Sequence, residues 1–302
     1  MILVNVPDTR NPYLNLAMEE YLLRNADCSK GGLIFFYINQ PCVVVGKNQS
    51  IYKEVNFEAL RSSEVLMARR ISGGGTVYHD EGNLSFGFID AFDESKVNNY
   101  KFFNQYIVEA LNKMKVPAEF DTRNNIVCNG KKISGNAQFT NRKNILSHGT
   151  LLFNADLNLL RASLTTNPFE VESKSVASVK SSVANLSDIT SHFSSIESLK
   201  EYLINAHSVS GTQELSSSEW NEIELIAKTQ MSTSEWIYGR SPATTVRKNA
   251  LIINVENGRI VKIEGLTDVL SRKLIGASYS YSGIKKALED CPNASEILEL
   301  VF

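Results

Sequence analysis

The order of apolar and polar positions along this chain predicts alternating helices and strands. Between Pro12 and Arg24, Leu14, Ala17, Met18, Tyr21 and Leu22 fall on one helical face, with Glu19 and Glu20 on the other. Leu33 to Ile38 and Cys42 to Val45 are unbroken apolar runs, the pattern of buried strands, joined by the turn-like Asn39-Gln40-Pro41. Gly46 to Gln49 then leaves the sheet as a loop. A short helix is expected over Val55 to Ser63 and a short strand over Val65 to Ala68. Thr76 to His79 and Asn83 to Ile89 read as a hairpin turning at Asp80-Glu81-Gly82. A long amphipathic helix is expected from Asn99 to Met114, with Phe102, Phe103, Tyr106, Ile107, Ala110 and Leu111 facing inward.

Strands are expected again at Asn125 to Cys128, Lys131 to Gln138 and Ser147 to Phe153, with Asn129-Gly130 as a hairpin turn between the first two. From Thr166 to Ser195 the chain is rich in Ser and Val without a period, and reads as loop. Helices return near Ile196 to Asn205 and Ser217 to Gln230. The tail then changes character. Val246 to Val255 and Arg259 to Gly265 suggest a hairpin around Asn257-Gly258, followed by short helices at Asp268 to Lys273, Ser282 to Leu288 and Ala294 to Leu300. The division expected is residues 1–244 as one large unit and 245–302 as a small α+β unit.

With 302 residues, 43% hydrophobic and 21% charged, the chain is long enough for one large and one small folded unit. Its formal charge of −2 gives no basic balance for a nucleic-acid binder. No stretch of about eighteen apolar residues occurs, so no membrane span is expected, and the apolar start Met1 to Val6 is too short and lacks the basic flank of a signal peptide. Cys28, Cys42, Cys128 and Cys291 are widely spaced, with no paired motif, which suits a reduced, cytoplasmic protein. Cys28, Cys42 and Cys128 read as small buried or incidental residues, and His192 and His207 receive no role.

The most unusual segment runs Arg69-Arg70-Ile71-Ser72-Gly73-Gly74-Gly75-Thr76-Val77-Tyr78-His79-Asp80. Consecutive glycines expose backbone amides and admit a ligand close to the main chain, and such a run can fold into an anion-binding nest. Two arginines add charge and bidentate phosphate contacts, and Ser72 adds a hydroxyl. The segment is neither a P-loop nor a dinucleotide fingerprint, since no Gly-Lys-Ser/Thr and no helix follows. Three glycines alone fit a plain hairpin loop better; the arginine pair and His79-Asp80 tip the reading toward a phosphate site.

A second segment is Gly130-Lys131-Lys132-Ile133-Ser134-Gly135-Asn136-Ala137-Gln138. On a strand the two lysines face opposite ways, so one is free to face a pocket and neutralise an acyl phosphate. Alone, a lysine pair after Asn-Gly is more often a solvated hairpin tip. A third segment, Ser147-His148-Gly149-Thr150-Leu151-Leu152, puts a histidine at the start of an apolar strand, where a core histidine is the commoner meaning.

Together, in order, these blocks resemble the signature of lipoate–protein ligases. Arg70-x-Ser72-Gly73-Gly74-Gly75-x-Val77-x-His79-Asp80-x-x-Asn83, then Lys132-Ile133-Ser134-Gly135-x-Ala137-Gln138, then His148 to Leu152 carry the likeness. Asn15 to Tyr21, Val45 to Gln49, Ser175 to Leu186 with Lys180 in the basic place, and Trp236-x-x-Gly239-x-Ser241-Pro242 extend it over nearly the whole chain. The resemblance implies an α+β fold: a large biotin/lipoate-ligase-like catalytic domain of mixed sheets with flanking helices, and a small C-terminal domain.

It also implies two chemical steps. Lipoate and ATP, with Mg2+, give lipoyl-AMP; a lysine of a lipoyl domain of a 2-oxoacid dehydrogenase, or of a glycine-cleavage H protein, then takes the acyl group. By motif, Lys132 holds the acyl carbonyl and phosphate. Arg70, Ser72, Gly73, Gly74, Gly75 and Val77 line the lipoate and adenylate pocket, and His79 lies near the nucleotide end. Gly135, Ala137 and His148 border the acyl chain. One departure stands out: where the family often has Arg-Asn-Asp, this chain has Arg123-Asn124-Asn125, so a metal-assisting acid becomes Asn125.

The alternatives are an acyltransferase working through a cysteine thioester, or a protein that transfers from preformed lipoyl-AMP with little activation of its own. A thioester is poorly supplied, since no cysteine occurs between Lys132 and Asp290. A biotin ligase is compatible with the fold, but the ordered blocks fit lipoate better. The chain is expected to act as a monomer.

Overall fold

The computed structural model describes every residue except 166, 168 and 208. In chain order its strands are β1 (Ile2–Asn5), β2 (Leu33–Ile38), β3 (Cys42–Val45), β4 (Leu66–Arg69), β5 (Val77–His79), β6 (Asn83–Ala91), β7 (Ala118–Phe120), β8 (Ile126–Cys128), β9 (Lys131–Ser134), β10 (Asn136–Thr140), β11 (Asn144–Leu152), β12 (Glu170–Ser173), β13 (Gly211–Glu214), β14 (Thr244–Lys248), β15 (Leu251–Glu256) and β16 (Arg259–Glu264). The helices are α1 (Pro12–Asn25), α2 (Ile51–Glu54), α3 (Phe57–Ser62), α4 (Tyr100–Lys113), α5 (Leu157–Ser163), α6 (Ile196–Ala206), α7 (Ser217–Ile226), α8 (Ser234–Ile237), α9 (Asp268–Leu274), α10 (Tyr281–Ala287) and α11 (Ala294–Val301).

A six-stranded mixed sheet, in the order β10-β11-β6-β2-β1-β13, forms the centre. Strand β2 explains its own position. Leu33, Phe35 and Tyr37 enter one apolar cluster, while Ile34, Phe36 and Ile38 enter another on the opposite face. A strand buried on both sides belongs inside a sheet, which is why the run is apolar throughout. The second cluster is closed by α4, through Phe103, Ile107, Ala110 and Leu111, and by α6, through Leu199 and Leu203. The first is closed by α1 and by the small sheet β4-β3-β5.

Local signals place the helix ends. The Asn11 side chain caps α1 at Tyr13 and Leu14, with Pro12 in its first turn. Ser195 and Ser198 form a capping box on α6, and Ser216 and Glu219 form one on α7. Asn129 and Gly130 turn between β8 and β9 with φ of 51° and 73°, as the sequence suggests.

Several expectations change in three dimensions. Glu19 and Glu20 do not lie on a solvent face; they are 0% and 4% exposed, because Glu19 is bonded to Tyr37 and His148 of the central sheet, while Glu20 meets Gln230 of the π-helical turn at Ala227–Met231 that packs on α1 with α7. β5 and β6 do not form a hairpin: β5 pairs with β3, and β6 pairs with β2 and β11. Lys131 to Gln138 is two strands in two sheets, broken at Gly135. Val55 to Ser63 begins as extended chain, with α2 before it and α3 after. Val246 to Val255 holds β14 and β15, and α7 ends in a π-helical turn. Within the segment read as loop, β12 pairs with β14, so the four-stranded sheet β12-β14-β15-β16 draws its edge from before residue 245. Thr166 and Pro168, where that loop expectation begins, lie outside the described residues. Among the described residues no helix is long and apolar enough to cross a membrane.

Candidate functional site

The glycine loop is held by two arginines with different duties. Successive residues of an extended strand alternate in direction. Arg69 turns away from the loop's open side and is 0% exposed. Its guanidinium donates to the carbonyls of Ile237 at 2.8 Å, Gly46 at 2.8 Å and Gln49 at 2.9 Å, and to Ser241 Oγ at 3.0 Å. Trp236 Nε1 donates back to the Arg69 carbonyl at 2.7 Å. Arg69 is thus a brace inside the protein, not the phosphate ligand that an arginine pair suggests.

Arg70 lies on the cavity side but is also largely engaged. It donates from Nη2 to the carbonyls of Gly73 and Gly75, both at 2.7 Å, from Nη1 to Val44 at 3.1 Å, and from Nε to Ser72 Oγ at 3.0 Å. The guanidinium buckles the loop from beneath, and burial lowers its pKa to about 10. Gly74 sits at φ 89°, a conformation that favours glycine. The carbonyls of Gly73 and Gly75 are thus taken, while the amides of Gly73, Gly74 and Gly75 have no hydrogen-bond partner among the described residues.

A buried polar chain runs from this buckle into the core. Ser72 Oγ shares a 2.7 Å hydrogen bond with His148 Nε2, and His148 Nδ1 donates to Glu19 Oε2 at 2.7 Å. Tyr37 Oη donates to the other Glu19 oxygen at 3.0 Å. Ser72 therefore stands behind the loop with its hydroxyl committed, rather than serving as a free donor. Glu19 and Tyr37 were missed in the sequence. A carboxylate on an otherwise apolar helix was the available signal, hidden because that face looked solvated.

Lys132 meets this arrangement from β9. Lys131 is exposed, while Lys132 is half-buried, as strand alternation requires. The Lys132 amide donates to Ser182 at 2.8 Å and its carbonyl accepts from Ala184 at 3.1 Å, which docks the segment before Ala184 beside it. Burial lowers the ammonium's pKa; Asp121 opposes that shift, and Arg70 and Arg123 add to it. Gly135 leaves the space that the ammonium fills, since a Cβ there would stand 2.8 Å from Lys132 Nζ. Gly135→Ala is therefore expected to displace the ammonium and lower adenylate formation by roughly 10–100-fold with the fold retained. Steady-state rates beside a circular dichroism spectrum check this, and an unchanged rate would count against the placement.

Two adjoining cavities meet at Lys132. The first, about 290 Å³, is lined by Leu16, Tyr37, Val44, Ala137 and His148 at its apolar side, and by Arg70, Gly74, Gly75, Asn125 and Gly135 elsewhere. The second, about 360 Å³, is lined by Val77, Tyr78, Arg161, Ser178 and Lys180 among others. Lys132, Thr76, Val77 and Gly135 border both. His79 borders the first and not the second. Of the residues that the motifs assign to the pocket, Ser72 and Gly73 stay off both cavity walls. No cysteine lines either wall.

Asn125 lines the first cavity, but its Nδ2 donates to Asp121 Oδ2 at 2.8 Å. Asp121 also receives the amides of Arg123 and Asn125 at 2.8 and 2.9 Å, which hold its carboxyl below the usual range against the effect of burial. Among the described residues no cluster of His, Cys, Asp and Glu is able to hold a metal ion. Asn125 with one free oxygen does not build a resident magnesium site.

Residues 11–208 match the lipoyl protein ligase A/B catalytic domain. The lipoate–protein ligase LplJ of Bacillus subtilis is 34% identical over 96% of this chain and 94% of its own length. Lipoate–protein ligase 1 of Staphylococcus aureus is 35% identical over 93% of this chain and 91% of its own. Among solved structures, a lipoate–protein ligase A bound with ATP superposes with a TM-score of 0.69 at 25% identity, covering 79% of this chain and 99% of that one. LipL1 of P. falciparum, in complex with lipoate, gives 0.66 at 25% identity over 99% of this chain and 97% of its own. A glycine loop, a junction lysine and a strand histidine gathered around one cavity thus sit on a chain that aligns over 93–96% of its length with named ligases, and it belongs to the lipoate–protein ligase family.

Proposed function

We propose that this chain activates lipoate with ATP to lipoyl-AMP and transfers the lipoyl group to a lysine of an acceptor protein. The observation that carries the reading is the position of Lys132 at the junction of two cavities. The first carries Leu16, Tyr37, Val44 and Ala137, suited to an acyl chain; the second carries Arg161 and Lys180, suited to a nucleotide. The ATP-bound and lipoate-bound relatives support that pairing of substrates.

The chemistry follows from the placement. The lipoate carboxylate attacks the α-phosphorus of ATP, forming the mixed anhydride and releasing pyrophosphate. Lys132 stabilises the charge on the phosphate and the acyl oxygen, and the unpaired amides of Gly74 and Gly75, on the wall of the first cavity, supply further donors. In the second step the acceptor amine attacks the acyl carbon and AMP leaves, so no covalent enzyme intermediate is needed. Positioning and charge stabilisation provide most of the acceleration. Magnesium is part of the substrate, MgATP. His79 belongs to the acyl side on this reading, a change from the nucleotide-side position that its motif implies. The absence of a cysteine from both walls gives the thioester route no support. Residues 1–244 act as the catalytic unit and 245–302 as an accessory one; the catalytic-domain match falls within the first range.

The acceptors proposed are lipoyl domains of 2-oxoacid dehydrogenases and glycine-cleavage H proteins. Incubation with lipoate, MgATP and a panel of both, read by intact mass, is expected to add one lipoyl group to at least one acceptor. No pyrophosphate release and no added mass on any acceptor would overturn the proposal. Asn125 favours one variant of it, in which activation is slow relative to transfer. A parallel arm supplied with preformed lipoyl-AMP measures that difference directly.

A further inference from the structure

The turn before β8 holds a carboxylate that neither chemical step uses. It runs Asp121-Thr122-Arg123-Asn124-Asn125, and Asp121 closes it. Asp121 Oδ1 accepts the amides of Arg123 and Asn125 at 2.8 and 2.9 Å, and the Asp121 amide donates to the Asn125 carbonyl at 3.0 Å. Asn124 sits at φ 61°, a left-handed conformation that asparagine tolerates. Its carbonyl accepts from Asn136 Nδ2 at 3.0 Å, and Asn136 lines the first cavity. The turn is thus tied to itself and to β10, and it sets Arg123 and Asn125 on the same wall as Lys132.

The second Asp121 oxygen decides how Asn125 is turned. Oδ2 meets Asn125 Nδ2 at 2.8 Å. Against burial, which pushes the other way, the Asn125 side chain and the amides of Asn125 and Arg123 hold the Asp121 carboxyl below the usual range. An ionised carboxylate only accepts, so Asn125 offers it the Nδ2 end of its amide. Asn125 Oδ1 is left without a partner among the described residues, on a half-buried side chain of the cavity wall, and it is not sealed from solvent.

The wall around that oxygen is cationic, with Arg70, Arg123 and Lys132. The lipoate carboxylate and the phosphates of ATP bring only acceptors to the reacting centre. The lysine amine of the acceptor protein is the reacting group that brings N–H donors. We propose that Asp121 is a positioning residue for the transfer step: it turns the Asn125 oxygen into the cavity, where that oxygen receives an N–H of the entering amine and aims the nitrogen lone pair at the acyl carbon. The inference rests on the lipoate reading above. In this step the N–C bond forms and the bond from acyl carbon to phosphate oxygen breaks. AMP leaves with that electron pair, and the proton lost by the amine passes to water.

Two rates measured on the full chain test it: pyrophosphate release from lipoate and MgATP without acceptor, and transfer from supplied lipoyl-AMP to a lipoyl domain. Asp121→Asn keeps an oxygen for the two backbone amides but offers Nδ2 to Asn125, whose amide inverts and turns its own Nδ2 to the cavity. Transfer is expected to fall roughly fivefold to tenfold further than pyrophosphate release does. Asp121→Asn combined with Asn125→Asp again presents an oxygen, and is expected to return transfer to within about twofold of the natural rate. Asn125→Leu leaves the Asp121 bonds to the main chain in place and is expected to show the same selective loss. Equal loss in both steps for Asp121→Asn, without rescue by the double variant, marks a merely structural turn and overturns the inference. So does undiminished transfer in a folded Asn125→Leu protein. If the natural protein neither releases pyrophosphate nor transfers, the lipoate reading itself fails; if it does both and the variants leave their ratio unchanged, only the role of Asp121 fails.

Discussion

Replacing Lys132 by alanine is expected to reduce lipoyl-AMP formation by roughly 10²–10³-fold, the usual cost of removing a preorganised charge-stabilising donor. The fold should survive, because the main-chain bonds to Ser182 and Ala184 do not involve the side chain. Pyrophosphate release measures the first step, and transfer from supplied lipoyl-AMP measures the second. A variant within about threefold of the natural rate in both would remove Lys132 from its assigned role. The pH dependence has a definite sign. The ammonium acts as a cation, and burial lowers its pKa from the ordinary lysine value. Activity that needs the charge is therefore present at lower pH and lost as pH rises, beginning below the pH at which a free lysine deprotonates. A rate still climbing at the ordinary lysine pKa would contradict this.

The second large effect falls on stability. Arg69→Met keeps much of the side chain's bulk and removes its donors. The carbonyls of Gly46, Gln49 and Ile237 then lose their shared partner in the interior. Each buried acceptor left without a donor costs about 1–3 kcal/mol before relaxation, so a net loss of about 3–4 kcal/mol is expected. Thermal unfolding should shift downward by something on the order of 10 °C. The loss should spread to the glycine loop, because Arg69 ties the Gly46–Gln49 loop to the Trp236–Ser241 block behind it. A melting temperature within about 2 °C of the natural protein would show that the brace is dispensable. The contrast with Lys132 is informative: one cation sits where charge changes during reaction, the other where it never does.

These two residues also show how far sequence patterns reach. Lys131-Lys132 follows an Asn-Gly turn on a strand, and alternation alone says that only one lysine meets a given side. The same rule separates Arg69 from Arg70. It does not say which member faces the cavity, because that depends on what covers each side of the strand. For the lysines the turn left Lys131 in solvent; for the arginines the Trp236–Ser241 block, far along the chain, claimed Arg69.

The sequence by itself determined the local elements with strong signals: the amphipathic α1 from Pro12, the buried strand β2, the Asn129-Gly130 turn, and the ordered blocks around Arg70, Lys132 and His148 that mark the family. Such features depend on neighbours a few residues away. Tertiary structure alone decided that Glu19 is buried against Tyr37 and His148, that Ser72 is spent within the protein, and that β5 leaves β6 to pair with β3. It also placed His79, buried, on the wall of the first cavity and off the second. Each of these depends on what packs against a face, and the period of a sequence marks its faces without specifying their partners.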